Sequence, residues 1–192
     1  FTYNYISGTN KLARVSGYTD QYTYDHNGNM VRDEINKNYD AVYDYRNLLI
    51  YISSVRYEDA GDSKKATTYV TRYYYDEAGN RTRKMVFKSD ENEVDPPDWD
   101  NMTDVGKWIL VANEVYVRDA AGKEIADYTS NGLSFWNIYG SDNVGRINAD
   151  TTKQFYLKDH LGTTRAVVDA SNTPIASYDF DAWGYKLREW SS

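Results

Sequence analysis

The sequence predicts an all-β protein in which repeated antiparallel β-hairpins join into an open, curved sheet. Three observations predict it. Twenty of the 192 residues are Tyr, against three Pro and three Met, and Tyr suits a half-buried sheet because its ring can be covered while its hydroxyl stays hydrated. The pattern Asp-x-x-Gly recurs at Asp25/Gly28, Asp76/Gly79, Asp119/Gly122, Asp142/Gly145, Asp159/Gly162 and Asp181/Gly184; chance placement predicts about one or two such pairs. Turn starts at Asp25, Asp33 and Asp44, and again at Asp159, Asp169 and Asp181, fall 8 to 12 residues apart, the spacing of an antiparallel meander.

Each element follows from local chemistry. A first strand is expected over Phe1–Tyr5, and Tyr22-Thr23-Tyr24 leads into the turn at Asp25. Asp at the first position of a type I turn accepts backbone N–H bonds, and Gly three residues later supplies the left-handed conformation that returns the chain to a ladder. Asn is the next most tolerant residue there, so Asp33/Asn36, Asp44/Asn47, Asp98/Asn101 and Asp169/Asn172 read as weaker copies. Glu58 to Lys65 reads as a polar loop, followed by a strand from Thr67 to Tyr75, the turn at Asp76 and a strand from Asn80 to Phe87. Residues 90–106 are acidic and contain Pro96-Pro97, which cannot continue a central strand. They read as an insertion. The best helical candidate, Met102 to Val111, is short and interrupted by Gly106. Asn131-Gly132 adds a tight turn, and strands at Thr163–Val168 and Tyr178–Phe180 complete the chain.

Composition excludes several classes of function. A formal net charge of −7 repels phosphate backbones and argues against nucleic acid or an anionic membrane surface as partner. No apolar run reaches the roughly 20 residues of a membrane span. The absence of Cys removes disulfides, thiolate metal sites and thiol nucleophiles. No phosphate loop, metal-ligand cluster or Gly-x-Ser-x-Gly elbow is present, so no metal and no cofactor are expected. Phe1 is not an initiating Met, and the chain is expected to be a segment of a longer polypeptide.

The sequence Tyr-x-Tyr-Asp-x-x-Gly-Asn, at Tyr22–Asn29 and Tyr73–Asn80, resembles the YD repeat of the RHS proteins, found also in teneurins and in the C component of insecticidal toxin complexes. Tyr156-Leu157-Lys158-Asp159-His160-Leu161-Gly162-Thr163-Thr164-Arg165, followed by Tyr178-Asp179-Phe180-Asp181-Ala182-Trp183-Gly184, looks like the RHS repeat-associated core, here spanning 139–186. The resemblance implies that residues 1–192 form a stretch of a hollow spiral shell. Its partners would be flanking YD repeats and a C-terminal toxin or effector cargo of the same polypeptide, on a bacterial protein that is secreted or displayed at the cell surface. Many such proteins cleave themselves at an Asp-Pro-x-Gly type motif after the core. Nothing after Gly184 resembles that motif. Asp159 and Asp181 are the candidates carried over by resemblance, without a scissile segment in this chain, and no enzymatic activity is expected.

Plainer readings stand beside the sharp ones. His26 and His160 occupy the same turn slot in two copies of the repeat, which a tolerant polar position explains. The acidic residues of 90–106 can be a solvated loop or a weak Ca²⁺ site. Asp179 and Asp181 can pair as acids or serve as a turn residue and an exposed neighbour. The Tyr-rich strands fit cross-strand ladders, yet exposed rings also stack on sugars, so a glycan-binding or protein-binding module is the alternative, with Trp136 and Trp183 as ligand candidates. A second alternative is the inactive half of an aspartate autoprotease. Rings and cations on both faces, as in Tyr73–Tyr75 and Arg81–Lys84, predict a sheet with little apolar core and unpaired edges that could join a second copy.

Overall fold

The computed structural model describes residues 2–15, 21–60, 63–89, 108–182 and 184–191. These residues form sixteen β-strands and no helix. Two compact units result, Phe1–Glu114 and Val115–Ser192. The acidic insertion at 90–106, the Asp98/Asn101 pair and Trp183 lie outside the described residues.

The first unit opens with a two-stranded ladder of β1 (Tyr3–Tyr5) and β2 (Leu12–Val15). A meander of β3 (Tyr22–Tyr24), β4 (Met30–Asp33), β5 (Asn38–Tyr43), β6 (Leu49–Ala60), β7 (Ser63–Tyr75) and β8 (Arg81–Ser89) follows, each antiparallel to its sequence neighbour. β6 and β7 differ from expectation. The polar stretch Glu58–Lys65 is mostly ladder, in which the register sets Glu58 opposite Lys65 and Asp59 opposite Lys64. The uninterrupted register from Tyr51 opposite Arg72 to Tyr57 opposite Ala66 carries the ladder on into it. Trp108–Val111, the end of the helical candidate, instead begins β9 (Trp108–Arg118), where four consecutive bulky or β-branched apolar residues favour extended backbone.

The core here is thin. Tyr51, Val70 and Trp108 are buried against one another, with Val42 and Phe87 packed beside them. Rows of the ladder mix rings and cations on both faces: Tyr51–Arg72–Met85 on one and Tyr73–Lys84 on the other. Guanidinium groups cover the rings, with Arg81 4.3 Å from the Tyr73 centroid and Arg56 and Arg32 each 4.6 Å from those of Tyr69 and Tyr39. Such contacts contribute about 0.5–1 kcal/mol each at exposed sites, so long Arg stems stand in for aliphatic packing.

In the second unit the last part of β9 pairs with β10 (Glu124–Thr129). The meander continues through β11 (Gly132–Tyr139), β12 (Asn143–Asn148), β13 (Lys153–Lys158), β14 (Thr164–Asp169), β15 (Pro174–Phe180) and β16 (Lys186–Ser191). Apolar and polar groups share both faces in this unit too. Val117–Ala126–Trp136–Ile147–Lys153 and Ile138–Gly145–Phe155–Val168 are register rows on one face, while Asn137–Arg146–Gln154–Asp169 and Tyr156–Val167–Ala176 are rows on the other. Adjacent Val167 and Val168 point to opposite faces, as the side-chain period of two requires, and both are buried.

Candidate functional site

The feature that repeats, and that places the sequence candidates, is a row of turns along one side of the meander within each unit. At Asp25, Asp76, Asp119, Asp159 and Asp181 the Gly three residues on donates its N–H to the Asp carbonyl at 3.0–3.1 Å, and the Asp N–H donates to the carbonyl of the fifth residue at 2.9–3.0 Å. The carboxylate completes the loop by accepting the N–H of that fifth residue, as at Asn29, Asn80, Lys123, Thr163 and Tyr185. Gly28, Gly79, Gly122, Gly162 and Gly184 all hold positive φ, the type I turn plus left-handed residue that ends in a bulged ladder. Asn47 and Asn172, both at φ 61, do the same at Asp44 and Asp169. At Asp33 the left-handed residue is Lys37 instead of Asn36.

One of the six pairs is built otherwise. Gly145 does not close a turn at Asp142; it sits within β12, between Ile138 and Phe155, without positive φ. A Cβ there would lie 2.2 Å from the Gln154 carbonyl oxygen, so the residue is Gly because a neighbouring backbone occupies the space. The sequence pattern also missed a turn. Asn148 N–H donates to Thr152 O and Thr151 N–H to Asn148 O, with Thr151 at φ 70; Asn148-x-x-Thr151 lacks both residues of the signature.

Tyr hydroxyls lace successive hairpins together. The last residue of β3, β5, β7 and β11 is Tyr24, Tyr43, Tyr75 and Tyr139. Each donates to the carbonyl of the first residue of the preceding strand: Leu12 at 3.0 Å, Met30 at 2.9 Å, Leu49 at 2.7 Å and Glu124 at 3.0 Å. Those carbonyls sit where the bulged turn ends, so the Tyr-Asp pair does two jobs. Asp folds its own turn and Tyr holds the turn before. Neighbouring tips are bonded too, through Asn27 and Asn29 to Asn47 Oδ1 and through Arg46 to the Asp76 carbonyl at 2.7 Å. Where β13 and β15 end in Lys158 and Phe180, Lys158 pairs with Asp142 and the Arg165 guanidinium lies 5.7 Å from the Phe180 ring centroid.

Both carried-over aspartates belong to this row. Asp159 accepts from Leu161 N–H, Thr163 N–H and Arg165 Nε at 2.8–3.0 Å. The Arg165 hydrogen bond, helped by the backbone donors and against partial desolvation, holds its carboxyl below the ordinary Asp value. A proton donor needs the opposite shift. Asp181 accepts Tyr185 N–H at 2.8 Å, and Asp179 pairs with Arg188 at 2.9 Å in an exposed bridge of little energetic weight. His26 and His160 are exposed at turn tips. Trp136 is 42% exposed, with Tyr128 edge-on at 6.4 Å. An open concavity of about 770 Å³ beside β15 and β16 is lined by Arg165, Ser177, Tyr178, Asp179, Arg188 and Trp190 among others. Among the described residues no group of three or more His, Asp or Glu converges as a metal site.

The architecture defines a class: an all-β protein of serially bonded hairpins whose Asp-led turns repeat within each unit. No family model matches the chain. It is 28% identical over 203 residues to the tRNA3(Ser)-specific nuclease WapA of Bacillus spizizenii and 26% identical to the tRNA nuclease WapA of Bacillus subtilis. The alignments cover 91% of this chain and 8% of each of those proteins, so the chain spans a small part of the curated relatives it matches. Among solved structures, the Photorhabdus luminescens Tc holotoxin pore aligns at 13% identity and TM-score 0.34, covering 98% of this chain and 14% of that one. The TcdB2-TccC3 complex aligns at 14% identity and TM-score 0.32, covering 98% and 15%.

Proposed function

We propose that this chain is a stretch of wall in an RHS/YD-repeat shell whose full polypeptide encloses or presents a C-terminal toxin or effector, on a secreted or surface-displayed bacterial protein. The observation that carries the reading is the Tyr-to-carbonyl tie between successive hairpins. It makes the sheet extensible, the tied hairpins bonding to one another around only a thin core, as a wall requires. The similarity to WapA over most of this chain supports the same reading. The nuclease activity named for those relatives falls, in this proposal, outside the matched 8% of their length. The wall itself is non-enzymatic, and its partners are adjacent repeats and the cargo.

The test is limited proteolysis of the full-length protein. An intact wall should protect the C-terminal region, and Gly79→Val with Gly162→Val should open it to the protease. Equal digestion in both proteins, or tRNA hydrolysis by residues 1–192 alone, would overturn the proposal. Trp136 supports the glycan-binding alternative through its exposed ring; defined-glycan affinity lost in Trp136→Ala would promote it. Time-dependent loss of a discrete fragment, abolished by Asp159→Asn or Asp181→Asn, would promote the autoprotease alternative.

A further inference from the structure

We propose that the β10–β11 hairpin carries a self-modification site at Asn131, whose side-chain amide is lost to give aspartyl and isoaspartyl forms while Asn27 is spared. The inference is independent of the shell reading. Asn-Gly occurs twice in the chain, at Asn27-Gly28 and Asn131-Gly132, and both lie in turns. Glycine after Asn leaves the following backbone nitrogen uncrowded, so that it can reach the Asn Cγ. In the reaction the Gly132 nitrogen gives up its proton to solvent base and attacks Cγ of Asn131. The new N–Cγ bond closes a five-membered succinimide, the Cγ–Nδ2 bond breaks, and ammonia leaves. Water then opens the ring at either carbonyl, giving Asp or an isoaspartyl linkage with one extra backbone carbon.

The fold treats the two sites differently. Asn27 Nδ2 donates to Asn47 Oδ1 at 3.0 Å, and the nucleophile, Gly28 N–H, donates to Asp25 O at 3.1 Å. The space where a Gly28 Cβ would lie is bounded by Lys11 Nζ at 3.2 Å. Asn27 is therefore held through its side-chain amide and the approach is crowded, and these two features set the sites apart, since Gly132 is paired with Thr129 across its own turn. Asn131 and Gly132 are exposed, and the Asn131 side chain has no hydrogen-bond partner among the described residues. Around Gly132, at φ +102, no atom comes within 4 Å of the Cβ position. Its loop is the two residues Ser130 and Asn131, closed by Thr129 opposite Gly132. An isoaspartyl residue lengthens that loop, and loop length sets hairpin register, so modification also disturbs the Tyr128–Trp136 ring contact beyond the turn.

The experiment incubates residues 1–192 at mildly alkaline pH and maps tryptic peptides by mass spectrometry. Asn131 falls in the peptide from Glu124 to Arg146 and Asn27 in that from Val15 to Arg32. Conversion at Asn131 should exceed that at Asn27 by about fivefold or more, the ratio expected when one net hydrogen bond must be broken at one site and not the other. In denaturing urea the two rates should converge, because the difference arises from the fold. Equal rates in the native chain, no conversion at Asn131, or a difference that persists in urea would each overturn the proposal.

Discussion

Gly145→Ala tests whether that glycine is dictated by a neighbouring backbone or by its own conformation. Its φ is not in the left-handed region. If conformation alone mattered, Ala would be tolerated and would stabilise the protein by about 0.4–1 kcal/mol through the unfolded chain. The geometry gives the opposite sign. The added Cβ meets Gln154 O at 2.2 Å and the Gln154 carbonyl carbon and Phe155 Cα at 3.2 Å, all backbone atoms of β13. No rotamer can relieve that contact, so β12 and β13 must separate by about 0.8 Å to restore the 3.0 Å minimum. Overpacking of this kind costs about 1–3 kcal/mol, and weakening one or two ladder hydrogen bonds adds roughly 1 kcal/mol. The expected loss is about 2–4 kcal/mol, against a total of about 4–12 kcal/mol for a unit of this size. Urea unfolding followed by Trp fluorescence reads the change as a lower midpoint at constant slope. An unchanged or raised midpoint would refute the close-approach argument.

Three further outcomes are expected. Gly162→Val and Gly79→Val should each cost more than about 1 kcal/mol because a β-branched residue is an outlier at positive φ, while Gly162→Asn should cost only a few tenths; equal Tm losses for Val and Asn at 162 would contradict the turn geometry. Tyr75→Phe removes the donor to Leu49 O while keeping the ring, and should lower stability by about 0.5–1.5 kcal/mol, measured by urea unfolding; no change would sever the tie from stability. Asp25, Asp142, Asp150 and Asp159 are held below the ordinary Asp value by side-chain hydrogen bonds from Asn29, Lys158, Thr152 and Arg165 respectively. A depressed folded value means stability that is present above the unfolded pKa of about 3.9 and lost as pH falls through the folded one. Tm should therefore drop on acidification below about pH 4, less steeply in Asp159→Asn, and a Tm flat to lower pH would remove the carboxylates from the account.

Much of the strand order is readable from the spacing of Asp and Gly, because a turn with one obligatory left-handed residue leaves a local signature. Gly145 carries the same signature for a different reason, since a close approach between strands is a tertiary fact with no local mark. Thr151 shows the converse: a turn without Asp at its first position or Gly at its fourth, in which Asp150, one residue before the left-handed one, supplies the carboxylate that accepts Thr152 N–H. Glu58 to Lys65 misleads because polarity signals a loop only when the register opposite is unknown. The role of Tyr before Asp is the part least visible in advance. Its ring suggests a ladder partner, whereas its hydroxyl reaches a carbonyl on the adjacent strand, and only the register reveals which one.

The Tyr ties fix the quantum by which such a chain can grow or shrink. Each runs from the end of one strand to the start of the strand before it, on the side of its own unit's meander where the turns at Asp25, Asp44 and Asp76, or at Asp119, lie. Inserting or deleting two strands returns the next Tyr to that same side and leaves every other tie unchanged. A change of one strand sends it to the opposite side, away from its acceptor, and inverts the direction of all that follows. Gene duplications and deletions should thus survive in whole hairpins, and lengths in between should be purged.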